Sequence, residues 1–258
     1  MRKLALLGLF FASLSANALG EPTYSNADID ALKVRYEPKK RMSASRMAPV
    51  ELNERPYKSP TYVPWTLPYQ NWEQEYQNCF YRHYHDRNLT FKPSLICMHF
   101  TVIPDATAVY NSFIRGCNMS AGDAGTMFGH VSVQLMIDKD GTAYQLMPFE
   151  RRCTGAYGVN HKAISIEMIA ANESDLLSRP EQVFKSFCVV RDLMKKYQIP
   201  LSGIIAHSDV SSGKSVVPDY LDYADSRYPE SYPASSTRTD PGNTYMAWLR
   251  GYLKKNLD

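Results

Sequence analysis

The sequence predicts an α/β fold, a central mixed β-sheet flanked by helices in one main domain with an N-terminal extension. Three observations carry that expectation. Short apolar runs of strand length, Leu95 to Val102, Ala163 to Ile169 and Gly203 to Ala206, recur along the chain. Helical patterns separate them. A turn sequence, Asp138-Lys139-Asp140-Gly141, also joins two strand-like segments directly, which adds an antiparallel pair to the sheet.

Asp105 is placed to cap a helix running to about Ile114. Val131 to Ile137 and Thr142 to Met147 flank the turn as the antiparallel strands. Ser178-Arg179-Pro180-Glu181 reads as a capping box, and the helix it opens carries Val183, Phe187, Val190, Met194 and Tyr197 at three- and four-residue spacing before Pro200 ends it. Tyr245 to Leu257 reads as a terminal helix with Trp248, Leu249 and Tyr252 inward. Between the last strand and this helix, Val210 to Thr239 follows no period and contains Pro218, Pro229, Pro233 and four tyrosines, a length that points to a functional loop.

At the N-terminus, Arg2 and Lys3 precede an apolar run from Leu4 to Leu14, followed by Ala16-Asn17-Ala18. This is the pattern of a signal peptide covering residues 1–18, so the mature protein is expected in the periplasm or secreted, without a stable membrane anchor after processing. Removing Arg2 and Lys3 lowers the formal charge of +3 by two, to +1, which argues against nucleic acid as a partner. About 240 residues remain, enough for a full core. Residues 19–92 read as a linker and an aromatic, proline-rich arm. In it Tyr57, Tyr62, Trp65, Tyr69 and Trp72 alternate with Pro60, Pro64 and Pro68. Such rings either clamp the arm onto its own domain or stack on sugars in a substrate groove. Five cysteines, at 79, 97, 117, 153 and 188, lack any C-x-x-C spacing and read as packing residues with room for one or two bridges.

Two histidines stand where ligands bind in sheets of this kind: His99 in the first core strand and His207 directly after Ile204-Ile205-Ala206. A single histidine in an apolar strand is ordinarily a core residue. Thr239-Asp240-Pro241-Gly242 adds a carboxylate held in a sharp turn, and two imidazoles with one carboxylate are a donor set for catalytic zinc. His83, His85, His130 and His161 carry no such context.

Five segments occur in order: Cys97-Met98-His99-Phe100-Thr101; Val131-Ser132-Val133 with Ile137 to Thr142 and Tyr144-Gln145-Leu146; Gly158-Val159-Asn160-His161 with Ile164-Ser165-Ile166-Glu167; Ala206-His207-Ser208-Asp209-Val210; and Thr239-Asp240-Pro241-Gly242. Together they resemble the zinc-dependent N-acetylmuramoyl-L-alanine amidases related to the peptidoglycan recognition proteins. The resemblance implies that residues 93–258 form a zinc amidase domain. It implies His99, His207 and Asp240 as ligands of Zn2+, Glu167 as the catalytic acid and base, and Arg238, where many members have Lys, as a stabiliser of developing negative charge. Peptidoglycan or its muropeptide fragments would be the substrate, and hydrolysis of the amide bond between N-acetylmuramic acid and L-alanine the reaction. The chain departs from compact members in the 32 residues between His207 and Asp240, which make Asp219 a rival third ligand. A non-catalytic peptidoglycan-binding protein, an exported amidase toxin and a stem-peptide peptidase are the competing readings.

Overall fold

The computed structural model describes residues 49–115, 130–156, 158–210, 217 and 238–257. In chain order these form α1 (Pro49–Glu54), β1 (Tyr62–Pro64), α2 (Glu73–Tyr84), β2 (Leu95–Phe100), α3 (Ala106–Arg115), β3 (Leu135–Ile137) and β4 (Ala143–Gln145). There follow β5 (Ala163–Met168), α4 (Glu173–Leu177), α5 (Pro180–Tyr197), β6 (Ile204–Ala206), the single turn α6 (His207–Val210) and α7 (Asn243–Asn256). One six-stranded sheet results, in the order β1-β4-β3-β5-β2-β6. β3 and β4 are antiparallel across the Asp138 to Gly141 turn, and every other neighbouring pair is parallel. This is the mixed α/β sheet that the apolar runs and the turn predict.

Side-chain alternation divides the core. Ile96, Met98, Leu135, Ile137, Ile164, Ile166, Met168, Ile204 and Ala206 point to one face, where they pack with Val183, Phe187, Val190 and Leu193 of α5 and Tyr245, Leu249 and Tyr252 of α7. On the opposite face, Leu95, Cys97, Ala163 and Ile205 pack with Val159, Val210 and Val217. Beside them Met136 and Tyr144 pack against Trp65, Tyr76, Phe80, Val109, Tyr110 and Phe113. The central strands are covered on both sides, which is why their sequences are continuous apolar runs.

The helix of residues 180–197 forms without the predicted capping box. Its N-cap is Arg179, with Pro180 as the first helical residue and no side-chain cap. Ser178 instead ends α4, its hydroxyl donating to the Asp175 carbonyl at 2.6 Å. A second short helix immediately upstream therefore uses the serine that the pattern assigned to the next one.

The aromatic segment is built into the core. β1 adds to the sheet edge beside β4, with the exposed Pro64 at the edge, where a missing N–H is tolerated. Trp65 is 2% exposed, stacked on Tyr110 at 4.4 Å and edge-on to Tyr144 at 5.0 Å. The Tyr110 hydroxyl donates to the Thr66 carbonyl. Trp65, Tyr69 and Trp72 are buried, so they cannot line a groove, and of the two readings of these rings the clamp is the one realised. Cys79, Cys97, Cys153 and Cys188 are all buried and unbridged. Residues 1–18, Cys117, Asp219 and most of the span from 210 to 239 lie outside the described residues. Among the described residues no helix is long and apolar enough to cross a membrane.

Candidate metal centre

Three parallel strands, β5, β2 and β6, end side by side, and their last residues form the site. Register sets His99 opposite Glu167 and Met98 opposite Ala206. Paired residues on neighbouring strands point to the same face. His99 and Glu167 therefore share the face opposite α5, and His207, the residue after Ala206, continues the row. Ile96, Met98 and the aliphatic residues of β5 anchor the strands from below, so these polar groups are held on rigid backbone.

His207 begins α6, and the strand that leads into it is tied from two directions. The Asp209 carboxylate accepts from the Ala206 N–H at 2.9 Å, and Arg250 of α7 donates both to the Ile204 carbonyl at 3.0 Å and to Asp209 at 3.3 Å. Asp240 arrives from the far side of the long span. Its carbonyl accepts from the Ser208 N–H at 3.0 Å, which fastens the turns that carry His207 and Asp240 to each other.

One carboxylate oxygen, Asp240 Oδ2, lies 3.0 Å from His207 Nδ1 and 3.4 Å from His99 Nδ1. The two imidazole centroids are 4.4 Å apart at 60°. All three potential ligand atoms fall within 4.8 Å of one another, and among the described residues this is the only such group of three. Donor atoms about 2.0–2.1 Å from a tetrahedral zinc are separated by roughly 3.3 Å, so these spacings and this N, N, O donor set fit zinc.

Electrostatics favour the same protonation states. Burial pushes His99 down to about 4, with neighbouring His207 adding to the effect and Asp240 opposing it, so its imidazole is neutral near pH 7. Burial alone would raise Asp240, but hydrogen bonds from His207 and His99 outweigh it and hold the carboxyl well below the usual range. Glu167 goes the other way. Burial and then the Asp240 charge push it well above the ordinary carboxyl value, while Arg238 opposes them. Its Oε2 is enclosed without a hydrogen-bond partner. The Arg238 charge lowers both His99 and Glu167.

A polar network surrounds Ser165, two residues before Glu167 on β5. Gln134 Oε1 accepts from the Ser165 N–H at 2.8 Å and from the Cys153 thiol at 3.1 Å, and its amide donates to the Arg151 carbonyl. The Tyr76 hydroxyl is 2.8 Å from Ser132 Oγ. The remaining histidines stand apart from the three: His83 lies near Cys79, His85 ends α2 in a left-handed conformation, His130 stacks on Trp72 and bonds Glu75, and His161 packs on Tyr84. Asp209, Glu173 and Arg250, which hold the turns around the site, were not singled out by sequence reading. Only Asp209, two residues after His207, carried a signal that could have found it.

No match was found among curated proteins. Among solved structures the chain is similar to a selenomethionine derivative of AmpD, at 20% identity, covering 62% of this chain and 84% of that one, with a TM-score of 0.43. It is also similar to two proteins of Clostridium intestinale URNW. One is the endolysin N-acetylmuramoyl-L-alanine amidase LysCS, at 24% identity over 60% of this chain and 86% of that one, TM-score 0.42. The other is the N-acetylmuramoyl-L-alanine amidase LysC, at 28% identity over 48% and 75%, TM-score 0.38. The sequence profile of the N-acetylmuramoyl-L-alanine amidases matches residues 89–219, just over half of the 258-residue chain. That span includes His99, Glu167 and His207 and ends before Arg238 and Asp240, and the place of Asp240 rests on the geometry above. The chain belongs to the N-acetylmuramoyl-L-alanine amidase family.

Proposed function

We propose that the chain is a zinc-dependent hydrolase that cleaves the amide bond between N-acetylmuramic acid and L-alanine in peptidoglycan, acting outside the cytoplasm. The observation that carries the proposal is the convergence of His99 Nδ1, His207 Nδ1 and Asp240 on one point, with Glu167 next to His99 in the same row. Those three residues would hold the metal, which when bound supplies Lewis acidity, bringing the pKa of a water to about 7 and polarising the scissile carbonyl.

Glu167 takes the proton of the attacking water and delivers it to the amide nitrogen as the C–N bond breaks, leaving a muramoyl carboxylate and a free alanine amine. Its raised proton affinity suits this role, because a carboxylate that readily accepts a proton is a stronger base. Arg238 would steady the oxyanion of the tetrahedral intermediate. Export rests on the N-terminal pattern of Arg2, Lys3, the apolar run and Ala16-Asn17-Ala18.

Digestion of purified peptidoglycan by zinc-loaded and chelated protein, followed by mass analysis, tests the reading. Release of stem peptides with a free N-terminal alanine, abolished by chelation, is the expected result. Cuts within the stem peptide would identify a peptidase instead, and binding without release would identify a non-catalytic receptor.

A further inference from the structure

Asp240 stands three residues before α7, and the start of that helix lacks a cap of its own. Its N-cap is Gly242, which has no side chain to accept from the first-turn amides. The acceptor comes from 72 residues earlier. Glu173, the first residue of α4, accepts from the Tyr245 N–H through Oε1 at 3.0 Å. Tyr245 is the third helical residue, the position a capping side chain reaches, and a carboxylate there also complements the helix dipole.

Glu173 and Gly242 are in close contact. A Cβ added to Gly242 would fall 2.6 Å from Glu173 Cγ and nearer still to its carboxyl group, and the glycine has φ of +101°. Any other residue there would need a backbone conformation that L side chains rarely adopt and would also displace the carboxylate. Glu173 follows β5 by only a few residues. The segment that carries Glu167 therefore reaches across to hold the turn that carries Asp240.

We propose that Glu173 is a positioning residue for the metal centre: by capping α7 in place of Gly242, it fixes the turn that presents Asp240 to His99 and His207. The consequence for the metal rests on the function proposed above, whereas the cap is a property of the metal-free protein. The full chain, stripped of metal and titrated with zinc against a chromophoric chelator, tests both. Glu173→Ala is expected to weaken zinc binding about 10- to 100-fold, the usual effect of losing a group that orients a ligand. Glu173→Gln, which keeps an acceptor oxygen, should lose less. Ser186→Ala serves as the control, because it removes the buried bond to the Tyr245 hydroxyl without touching the cap. It should leave zinc affinity near that of wild type.

Amide exchange at Tyr245 in the metal-free protein should accelerate in Glu173→Ala and much less in Ser186→Ala. Wild-type zinc affinity in Glu173→Ala would overturn the proposal. Equal weakening by Ser186→Ala would also overturn it, since general loosening of α7 would then suffice. Wild-type protein that takes up no zinc would overturn the metal-centre reading itself, and the Tyr245 exchange rates would identify that case.

Discussion

Glu167 combines two demands that conflict. A carboxyl enclosed at Oε2 without a partner and facing the Asp240 charge is a strong base, and in its ionised form it also destabilises the fold that holds it. Glu167→Ala is expected to cut turnover by about 10²- to 10⁴-fold, the usual contribution of a general base, while zinc binding persists. Glu167→Gln should be equally inactive yet raise the stability of the metal-free protein at pH 7. The sign follows from linkage: a carboxyl raised in the folded state costs stability above its unfolded value and none below it. The gain should therefore vanish below about pH 4.5, the ordinary glutamate value. Denaturant unfolding at pH 7 and pH 4 measures it, and a gain that persists at pH 4 would point to repacking. Asp240→Ala and His99→Ala, by contrast, should abolish stoichiometric zinc uptake measured by equilibrium dialysis, because each removes one of the three proposed ligand atoms.

Among the elements, the segment from β1 to α2 departs most from its sequence expectation. Prolines at 60, 64 and 68 rule out a helix and suggest an arm, but β1 pairs with β4 and the rings behind it fill a cavity between the sheet and α3. The strength of that docking is measurable. Trp65→Ala is expected to cost about 3–5 kcal/mol in denaturant unfolding, since it empties a nearly inaccessible site stacked on Tyr110. A loss below about 1 kcal/mol would mean that the segment adds little to the domain. Loop elements were less legible. Val102, three residues after His99, adopts φ of 61°, a strained conformation for a β-branched residue that no sequence pattern announces. Gln182 of α5 donates to the carbonyls of both Ile137 and Ile169 at the ends of β3 and β5, a contact that looks in sequence like one polar residue on a helix.

At the scale of the molecule, pH and metal act on one equilibrium. His99, neutral in the folded metal-free protein until about pH 4, takes up its proton near pH 6.5 once unfolded. An imidazole lowered in the folded state contributes no penalty above its unfolded value and destabilises as pH falls through the window from about 6.5 to about 4. Glu167 opposes this slope, so Glu167→Gln protein is the background in which to read it. There the loss across the window should approach roughly 3 kcal/mol. A flat profile would mean that His99 is charged in the fold. If the proposed site takes zinc, the metal should add stability in proportion to the logarithm of its concentration over Kd, because it would bind only the folded site. The rise in Tm on zinc addition should be large at pH 7 and shrink only towards pH 4, where protons begin to compete for the His99 imidazole. Equal rises at both values would indicate binding elsewhere on the chain.

The sequence by itself determined the sheet-forming runs, the hairpin turn, the two major helices and the candidates His99, His207, Asp240 and Glu167. Each of these is written in local patterns: apolar periodicity, turn chemistry and an ordered set of short motifs. Tertiary structure decided which face of β2 and β5 carries His99 and Glu167, because register between strands distant in sequence is set by packing against α5 and α7. It also decided that Asp240, 33 residues from His207, meets it at 3.0 Å, and that Glu173 and Arg250 hold the two turns concerned. Pairings of that kind have no period and no fixed spacing. They arise when a chain segment is folded back onto a core that other segments have built.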